Sequence, residues 1–467
     1  VSAAGGREKN QAAELWRKLL FAWSRGAIGY NWYDLRNDGF DPNNGEHNFG
    51  LLTHDFQPKP VYVAYNTLTG LFSGMRFIRQ FDAGPGCWLF EFADGNHRVL
   101  AGWLDPGSHS TTLLFRSDAD GAERIDLMGG RSSAAAADGL LMFDLGEVPS
   151  ALRLPATAKF EPAGRLIEMK NSGAVLPGKP FRFELTARNP FGRAAELVVR
   201  PEMLRGISFD RAEERVRIPA YAERTVVLTG RIAGEFRVQP GEQSLLRLNY
   251  RFGECEGVVS FPLAVPVMIP AAGNRRSPDF RIADRSANFN LIGYNPAQQH
   301  LVWKGPEDLS ADVSLELRDG NLTVEVVAVD DSHVQKFRGG DIWQGDSIQF
   351  ALCVPGKSGF WEIGAARLDD GGSEVYVWSV PEGMSRSDAA SSFRAETRRE
   401  GNVTTYRVAM PLRVLGLRER QLHSDGIRFN LPVNDNDGEG REGWMQIAPG
   451  IGGDKTPELF PLVIFEK

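Results

Sequence analysis

In the sequence Leu322-Thr323-Val324-Glu325-Val326-Val327-Ala328, apolar side chains recur at every second position and alternate with polar ones at 323 and 325. A period of two is typical of a β-strand with one buried face. Similar short apolar runs lie on both sides of this one, separated by turns rich in glycine, aspartate and serine. The 467 residues include 51 glycines and 27 prolines, a density that favours many short strands over long helices. We therefore predict a mainly β protein.

Composition and charge exclude several classes of protein. At ~150 residues per domain, a chain of this length corresponds to about three domains. The formal net charge is −7, and no basic stripe is visible, so we expect no nucleic-acid partner. No apolar run approaches the ~20 residues of a membrane-spanning helix. We find no nucleotide, flavin or phosphate motif, and the cysteines have no metal-ligand spacing: Cys87, Cys255 and Cys353.

The N-terminal segment, residues 1–74, is predicted to differ from the rest of the chain. An amphipathic helix over 9–24 precedes an apolar strand over 27–33, a polar loop and a second helix over 61–72. The strand lacks alternation, which predicts that it is buried on both sides. The order of helix, buried strand, loop and helix is typical of one unit of an α/β fold.

Three β-rich domains are predicted to follow this segment. Turn residues separate many short apolar runs from residue 75 onward, and about seven short strands in 110 residues are typical of an immunoglobulin-like sandwich. The predicted boundaries are 75–157 for a small β-sandwich, 158–270 for the immunoglobulin-like sandwich and 278–467 for a last β-sandwich, with a linker over 271–278.

Three motifs in the first segment are Gly29-Tyr30-Asn31-Trp32-Tyr33-Asp34-Leu35-Arg36-Asn37-Asp38-Gly39, Glu46-His47-Asn48-Phe49-Gly50-Leu51 and Pro58-Lys59-Pro60-Val61-Tyr62. Together they resemble the end of a clan A (β/α)8 glycoside hydrolase over residues 8–155. In that clan the eighth barrel strand ends in a tryptophan that floors the sugar site, and a small β-sandwich follows the eighth helix. The resemblance implies that the last unit of such a barrel binds substrate through Trp32, Tyr33, Asp34, Glu46 and His47.

The same resemblance implies that catalysis depends on residues outside this chain. In the clan, the two catalytic carboxylates follow strands four and seven, and both would precede Val1. We therefore assign no catalytic residue here and expect the chain alone to be inactive. The missing barrel units, as a second chain or a nicked fragment, would pair with strand 27–33 and cover the apolar stripe of helix 9–24. That stripe consists of Leu15, Trp16, Leu19, Leu20 and Trp23.

The last domain carries a second set of motifs, at residues 329–335, 341–350, 429–437, 441, 444 and 449–451. These resemble the family 9 carbohydrate-binding modules, a DOMON-like β-sandwich, over residues 278–467. We expect two tryptophans of this domain to face each other and clamp a sugar ring, while arginine or amide side chains bind the hydroxyls of the sugar. The alternative for each tryptophan is that it fills the core. The predicted glycan-binding residues are Trp343, Trp361, Trp378, Trp444, Gln349 and Arg441.

An acidic run in this domain offers oxygen ligands to a cation. In Asn434-Asp435-Asn436-Asp437-Gly438-Glu439, the carboxylates of Asp435 and Asp437 predict a structural Ca²⁺ site. The run lacks the spacing of a twelve-residue calcium loop, so a plain turn is the alternative. A nearby group, Asp330, Asp331 and His333, is interpreted as a structural polar cluster.

We therefore interpret the chain as the C-terminal region of a secreted or periplasmic modular glycoside hydrolase that acts on plant or microbial polysaccharide. Its last domain is expected to bind a polysaccharide or oligosaccharide. One alternative is that the chain is one polypeptide of a two-chain, active retaining glycosidase whose catalytic carboxylates lie on the other chain. A third interpretation is a structural, adhesin-like protein.

Overall fold

The computed structural model describes residues 3–40, 46–84, 86–105, 110–134, 136–137, 139–170, 174–203, 206–234, 236, 244–253, 255–271, 277–291, 296–452 and 455–467. They form two compact units, of which the first covers most of the chain up to Leu263. The second covers Ala264–Lys467 together with Ala174–Pro177. Strands predominate in both units, which confirms the predicted mainly β fold. In the described ranges, no helix is long and apolar enough to cross a membrane.

Two helices open the first unit, α1 (Ala3–Ser24) and α2 (Pro60–Phe72), with a short 3-10 turn between them at Glu46–Asn48. In the apolar stripe of α1, Leu15, Trp16 and Leu20 are buried, whereas Leu19 and Trp23 are half-buried. Trp16 Nε1 donates to Ala64 O of α2 at 2.9 Å. Helix α2 and the first strands of the following sandwich pack against this stripe. The prediction that other barrel units must cover it is wrong, because the chain supplies the cover itself.

The segment that joins the helices also differs from the prediction. Residues 27–33 form no strand, Ile28 is fully exposed, and Tyr30 and Tyr33 are exposed. A strand that is buried on both faces needs a partner at each edge. Near this segment the described backbone makes isolated bridges at Leu52, and Asp34 and Leu35 hydrogen-bond to residues 49–52, but no ladder of strand pairing runs along 27–33. The predicted buried strand is therefore wrong.

The first β-sandwich has two sheets with the strand orders β1-β2-β3-β9-β5-β6 and β10-β4-β8-β7. Its strands are β1 (Arg76–Gln80), β2 (Cys87–Ala93), β3 (His97–Leu104), β4 (Thr111–Ser117), β5 (Ala122–Asp126), β6 (Arg131–Ala134), β7 (Ala136–Ala137), β8 (Leu140–Leu145), β9 (Ser150–Pro155) and β10 (Phe160–Arg165). Leu89, Phe115 and Phe143 belong to its buried core. Strand β10 follows the predicted boundary at residue 157 but pairs with β4, so this sandwich continues to Arg165.

The second β-sandwich also belongs to the first unit. Its strands are β11 (Ile167–Met169), β12 (Pro180–Arg188), β13 (Ala195–Pro201), β14 (Ile207–Phe209), β15 (Glu214–Ile218), β16 (Glu223–Ile232), β17 (Ser244–Phe252) and β18 (Cys255–Leu263). They form two four-stranded sheets with the orders β11-β12-β16-β14 and β15-β13-β17-β18. The alternating burial along β12 and β16 places one face of each strand in the core.

The second unit contains fourteen described strands and three short helices. They are β19 (Val267–Ile269), β20 (Phe280–Ile282), β21 (Asn288–Asn290), β22 (Leu309–Arg318), β23 (Asn321–Asp330), β24 (Ser347–Cys353), β25 (Trp361–Arg367), β26 (Ser373–Ser379), α3 (Arg386–Ser392), β27 (Arg394–Glu400), β28 (Val403–Pro411), α4 (Leu412–Leu415), α5 (Glu419–Ser424), β29 (Ile427–Asn430), β30 (Pro432–Asp435), β31 (Gly443–Gln446) and β32 (Leu462–Phe465). Further 3-10 turns lie at Arg285–Ala287, Pro296–Leu301, Gly339–Gln344 and Pro457–Leu459.

Two sheets enclose the core of this unit. One has five strands in the order β20-β22-β23-β28-β27, and the other has nine, with β24 at the centre between β29 and β30. On β23, the predicted apolar positions Leu322, Val324 and Val326 are fully buried and Val327 is 36% exposed, whereas the polar Thr323 is also buried, at 7%. Residues 272–276 of the predicted linker lie outside the described residues.

Each of the three β-rich regions carries one cysteine. Cys87 begins β2, Cys255 begins β18 and Cys353 ends β24; the first two are buried and the third is half-buried. Burial raises the pKa of the Cys87 and Cys353 thiols to about 11.

Candidate functional site

The candidate site of the second unit is built on the hairpin of β30 and β31. Asn434 lies opposite Trp444 and Asp435 lies opposite Gly443, and residues 436–442 connect the two strands. Strand β30 pairs with the central strand β24, which anchors the hairpin in the larger sheet. We call residues 436–442 the hairpin loop.

An aromatic and arginine stack lies beside this loop. The rings of Phe289 and Trp444 are parallel, with centroids 4.2 Å apart. The guanidinium carbon of Arg441 is 4.3 Å from the Trp444 centroid and 5.2 Å from the Trp343 centroid. Trp444 is only 2% exposed, whereas Trp343 is 37% and Phe289 is 46% exposed. The stack therefore presents Trp343 and Phe289 to solvent, and Trp444 supports it from within.

Arg441 is held in place but is incompletely hydrogen-bonded. Its Nη2 donates to Asn434 Oδ1 at 2.6 Å, and Asn434 Nδ2 donates to Ser347 Oγ at 2.9 Å. Burial lowers the pKa of the Arg441 guanidinium to about 10. Its Nε is buried and has no hydrogen-bond partner among the described residues. The buried Nε cannot reach a ligand, but Arg441 as a whole is only half-buried, so its Nη groups are the donors that can bind the hydroxyl groups of a ligand stacked on the exposed indole.

The other predicted glycan-binding residues lie elsewhere. Trp361 is fully buried in the core of the unit, where its Nε1 donates to Leu415 O at 3.1 Å, so it is not a surface residue and the prediction for it is wrong. Gln349 is buried on β24 and donates to Glu362. It is therefore also unavailable to a glycan.

Trp378 occupies an intermediate position. It is half-buried on β26, its ring covers Gly364, and its Nε1 donates to Gly340 O at 2.9 Å. Gly340 lies in the same 3-10 turn as Trp343. Trp378 therefore supports the backbone turn that positions the exposed tryptophan.

A group of acidic side chains lies next to the stack, and we call it the carboxylate cluster. It consists of Asp308, Asp330, Asp331, Asp346, Asp435, Asp437 and Glu442, with His333 at its edge. One ligand atom from each of Asp308, Asp331 and Asp437 lies within 4.8 Å of the other two. The same limit holds for Asp330, Asp435 and Asp437, and for Asp330, His333 and Asp346. The two residues predicted from the acidic run thus lie at the centre of a larger set.

Burial and mutual repulsion raise the pKa of several of these carboxyl groups. Burial and the charge of Glu442 raise the pKa of Asp435 to about 9. Burial and the charge of Asp331 raise the pKa of Asp437 to about 6, and burial raises that of Glu442 to about 7. Because each proton removed leaves a charge near other charges, the cluster favours a neutralising ligand.

The donor atoms of the cluster fit a Ca²⁺ ion. Ca²⁺ is bound by several oxygen ligands, and carboxylates are the commonest of them. Glu442 is 4% exposed, and its Oε2 has no hydrogen-bond partner among the described residues. His333 Nδ1 is likewise buried without a hydrogen bond, 3.6 Å from both Asp330 Oδ2 and Asp346 Oδ2. Two buried polar atoms thus face the cluster with unused ligand capacity.

The residues predicted from the barrel resemblance lie in the loop between α1 and α2. Trp32 is half-buried, and its Nε1 donates to Phe49 O at 3.3 Å. The backbone of Asp34 pairs with Phe49 and Leu51, while burial and the charge of Asp38 raise the pKa of its carboxyl group. Trp32 and Asp34 therefore both pack against the stretch that follows the 3-10 turn.

The remaining residues of that set are less closely grouped. Tyr33 is 62% exposed and donates to Asp38 Oδ2 at 3.3 Å. The His47 ring packs against Gly39, where a Cβ would come within 2.4 Å of it. The side chain of Glu46 lies outside the described residues.

A buried lysine hydrogen-bonds to two parts of this loop, and nothing in the sequence predicts that role for it. Lys59 is 3% exposed, and its Nζ donates to Asn48 O at 2.8 Å and to Asn37 Oδ1 at 3.2 Å. Asn37 Oδ1 also accepts a hydrogen bond from Gly50 N at 3.0 Å. Burial lowers the pKa of Lys59, against the opposing effect of Glu8 and Asp34.

Comparison with known proteins finds similarity only to solved structures, since no family profile and no curated protein matches the chain. A family 39 glycoside hydrolase from Bacteroides cellulosilyticus WH2 is 32% identical over 31% of this chain, with a TM-score of 0.28. The chain spans 30% of that hydrolase. A family 9 carbohydrate-binding module from Caldicellulosiruptor kristjanssonii, in complex with glucose, is 12% identical over 43% of this chain and 95% of the module. Its TM-score is also 0.28.

Proposed function

We propose that the second unit binds glycans. We further propose that the chain is the C-terminal region of a secreted or periplasmic modular glycoside hydrolase acting on plant or microbial polysaccharide. The observation that carries the binding proposal is the stack of Trp343, Arg441 and Trp444. The exposed indole of Trp343 offers a flat apolar surface to the C–H face of a pyranose. The neighbouring guanidinium offers donors to its hydroxyls.

The substitution Trp343→Ala tests this proposal. We expect it to weaken binding by ~1–3 kcal/mol, or roughly 5–150-fold, because one aromatic contact at the centre of the site is lost. Isothermal titration calorimetry with a panel of oligosaccharides that includes cellotriose measures the change. Because the side chain is 37% exposed, the melting temperature should change little.

Val327→Ala is a matched control, since Val327 is equally exposed at 36% but lies on β23 of the five-stranded sheet, not in the turn that carries Trp343. It should leave glycan affinity unchanged. Equal affinity of the wild type and Trp343→Ala for every bound sugar would remove Trp343 from the site. A large loss of stability in Trp343→Ala would show instead that the indole is a structural residue.

The carboxylate cluster is proposed to hold a structural Ca²⁺ ion. Asp308, Asp331 and Asp437 would supply oxygen ligands, with Asp435 and Glu442 beside them. The ion would neutralise carboxylates that folding brings together. A rise in melting temperature on adding CaCl₂ to protein pretreated with EDTA would support this assignment, and an unchanged melting curve would contradict it.

One observation favours a second candidate, in which this chain is part of a two-chain, active retaining glycosidase. Seven large apolar side chains within residues 27–56 are exposed: Ile28, Tyr30, Tyr33, Leu35, Phe40, Phe49 and Phe56. Concentrated apolar exposure is typical of a surface that another protein covers. In that assembly the last barrel unit would bind substrate through Trp32, Tyr33, Asp34, Glu46 and His47, and the partner would supply both catalytic carboxylates.

The two candidates differ in a simple assay. The purified chain alone should hydrolyse no aryl-glycoside or polysaccharide, because it lacks the catalytic pair. Mass spectrometry of the same sample would detect a co-purifying fragment of roughly 30–40 kDa if the barrel is split, given the typical size of a barrel. Turnover by the chain after removal of every other polypeptide would contradict both candidates.

A further inference from the structure

The hairpin loop is shared by the carboxylate cluster and the aromatic stack. Arg441, which contacts Trp343 and Trp444, is adjacent in sequence to Glu442, whose side chain belongs to the cluster. The Glu442 N–H donates to Asp435 O at 2.9 Å, and Glu442 Oε1 accepts a hydrogen bond from Asp437 N at 2.6 Å. The position of Arg441 therefore depends on how Glu442 and Asp437 are held.

A second link joins the cluster to the turn that carries Trp343. Asn436 is 1% exposed, and its N–H donates to Asp346 Oδ1 at 2.8 Å. Its Nδ2 donates to Gln344 O at 2.7 Å, and Gln344 follows Trp343 directly. Asn436 thus bonds to a cluster carboxylate on one side and to the backbone beside the exposed indole on the other.

The charges near this loop do not balance within the described residues. Seven carboxyl groups face two basic side chains with ion pairs into the cluster, Arg399 with Asp330 and Lys304 with Asp308, besides His333. The orphaned Glu442 Oε2 is buried within this set and has capacity for a cation.

We propose that divalent-cation binding at the carboxylate cluster positions Arg441 and Trp343, so that glycan binding on the stack depends on Ca²⁺. This inference rests on the proposed glycan-binding function and adds its regulation. The cation holds the carboxylates of Asp437 and Glu442 together, which keeps the loop hydrogen-bonded to Asp435 and Asp346 and fixes the guanidinium beside the indole. By linkage, a glycan that needs the ordered loop must strengthen Ca²⁺ binding by the same factor.

The test uses the full chain, first stripped with EDTA and then titrated with CaCl₂ or MgCl₂. Tryptophan emission is recorded for the wild type and for Trp343→Phe, and their difference isolates the signal of Trp343. We expect Ca²⁺ to shift this difference signal and to raise the melting temperature. Cellotriose affinity, measured by calorimetry, should fall by roughly 5–150-fold in EDTA, the usual range of coupling between two sites.

Asp437→Asn preserves the shape of the loop and removes one charge from the cluster. It should require at least about tenfold more Ca²⁺ to produce the Trp343 signal, because one of three close carboxylates is lost. Asp312→Asn is the matched control, since Asp312 is a half-buried carboxylate on β22 that pairs with Arg281 and lies outside the cluster. It should behave as the wild type. The measurements on the wild type need no variant, so a poorly folded Asp437→Asn does not compromise the test.

The outcomes separate this inference from the proposed function. If Ca²⁺ raises the melting temperature but neither the Trp343 signal nor cellotriose affinity changes, the ion is structural and the coupling is refuted. If Ca²⁺ changes nothing, the cation site itself is refuted. If no sugar of the panel binds in either condition but the Trp343 signal responds to Ca²⁺, the positioning of the stack holds and the glycan-binding proposal fails.

Discussion

Replacing Lys59 with methionine should loosen the loop between α1 and α2 without unfolding the unit. The ammonium group donates two hydrogen bonds in a buried site, at 2.8 Å to Asn48 O and 3.2 Å to Asn37 Oδ1. Hydrogen bonds from a charged donor contribute about 1.5–3 kcal/mol each. The gain from no longer burying the charge offsets part of this loss. We expect a net loss of about 2 kcal/mol in the local free energy of opening, or roughly a 30-fold rise in the open population.

Hydrogen exchange followed by mass spectrometry measures this opening directly. The amides of Asn37, Gly50 and Leu51 bond within the loop, at 3.0 Å each, and should exchange faster in Lys59→Met. Lys170→Met is a control, because Lys170 is exposed and its Nζ makes only a 3.3 Å contact with Thr225. It should leave exchange at the three amides unchanged. Unaltered exchange in Lys59→Met would refute the role given to the buried ammonium.

Two further substitutions test the packing of each unit. Trp361→Phe should lower the free energy of unfolding of the second unit, measured in urea, by ~1–3 kcal/mol, because Leu415 O loses its buried hydrogen-bond donor. Glycan affinity should stay unchanged. Lost affinity with intact stability would contradict the placement of Trp361 in the core. Burial raises the pKa of the Asp144 carboxyl group above its usual value of 3.8, so the folded state binds this proton more tightly than the unfolded state does. The protonated carboxyl group therefore stabilises the fold at low pH, and this stabilisation is lost as the pH rises through the raised pKa. Asp144→Asn should flatten this decline in melting temperature between pH 4 and 8, and identical pH profiles for the two proteins would argue against the buried carboxyl as its source.

Local signals in the sequence predict local structure well. The alternation in residues 322–328 marks β23, because a strand with one buried face requires it. Pro60 starts α2, since the N–H that proline lacks would be unsatisfied in the first turn of any helix. In both cases the residues that decide the outcome lie next to each other in the chain.

Sequence patterns predict structure poorly where the outcome depends on residues that are distant in the chain. Residues 27–33 have the composition of a buried strand but form none, because a strand also needs partners at its edges. Trp343 and Trp361 share a domain, yet one is 37% exposed and the other is fully buried. The polar stretch Gln344-Gly345-Asp346 after Trp343 favours an exposed indole, whereas the burial of Trp361 is set by distant residues that pack over it.

The candidate site shows the same division. Asp435 and Asp437 were predicted because they lie in one acidic run, whereas Asp346 joins them from a position far earlier in the chain. Asp330, Asp331 and His333 were interpreted as a polar cluster, and the fold places them in this one. Phe289, which extends the stack, gave no signal at all, since a single phenylalanine before an asparagine is typical of many surface strands.

The three separated thiols make the chain a reporter of its own opening. At pH 7 a thiol with a pKa of about 11 is ionised in about one molecule in ten thousand, so Cys87 and Cys353 resist alkylation while they are folded. Each β-rich region contains a single cysteine. A pulse of iodoacetamide at each step of a denaturant titration, followed by peptide mass mapping, would therefore give the denaturant concentration at which the cysteine of each region becomes exposed. Such labelling would reveal whether the two sandwiches of the first unit open together or in succession, with no engineered probe.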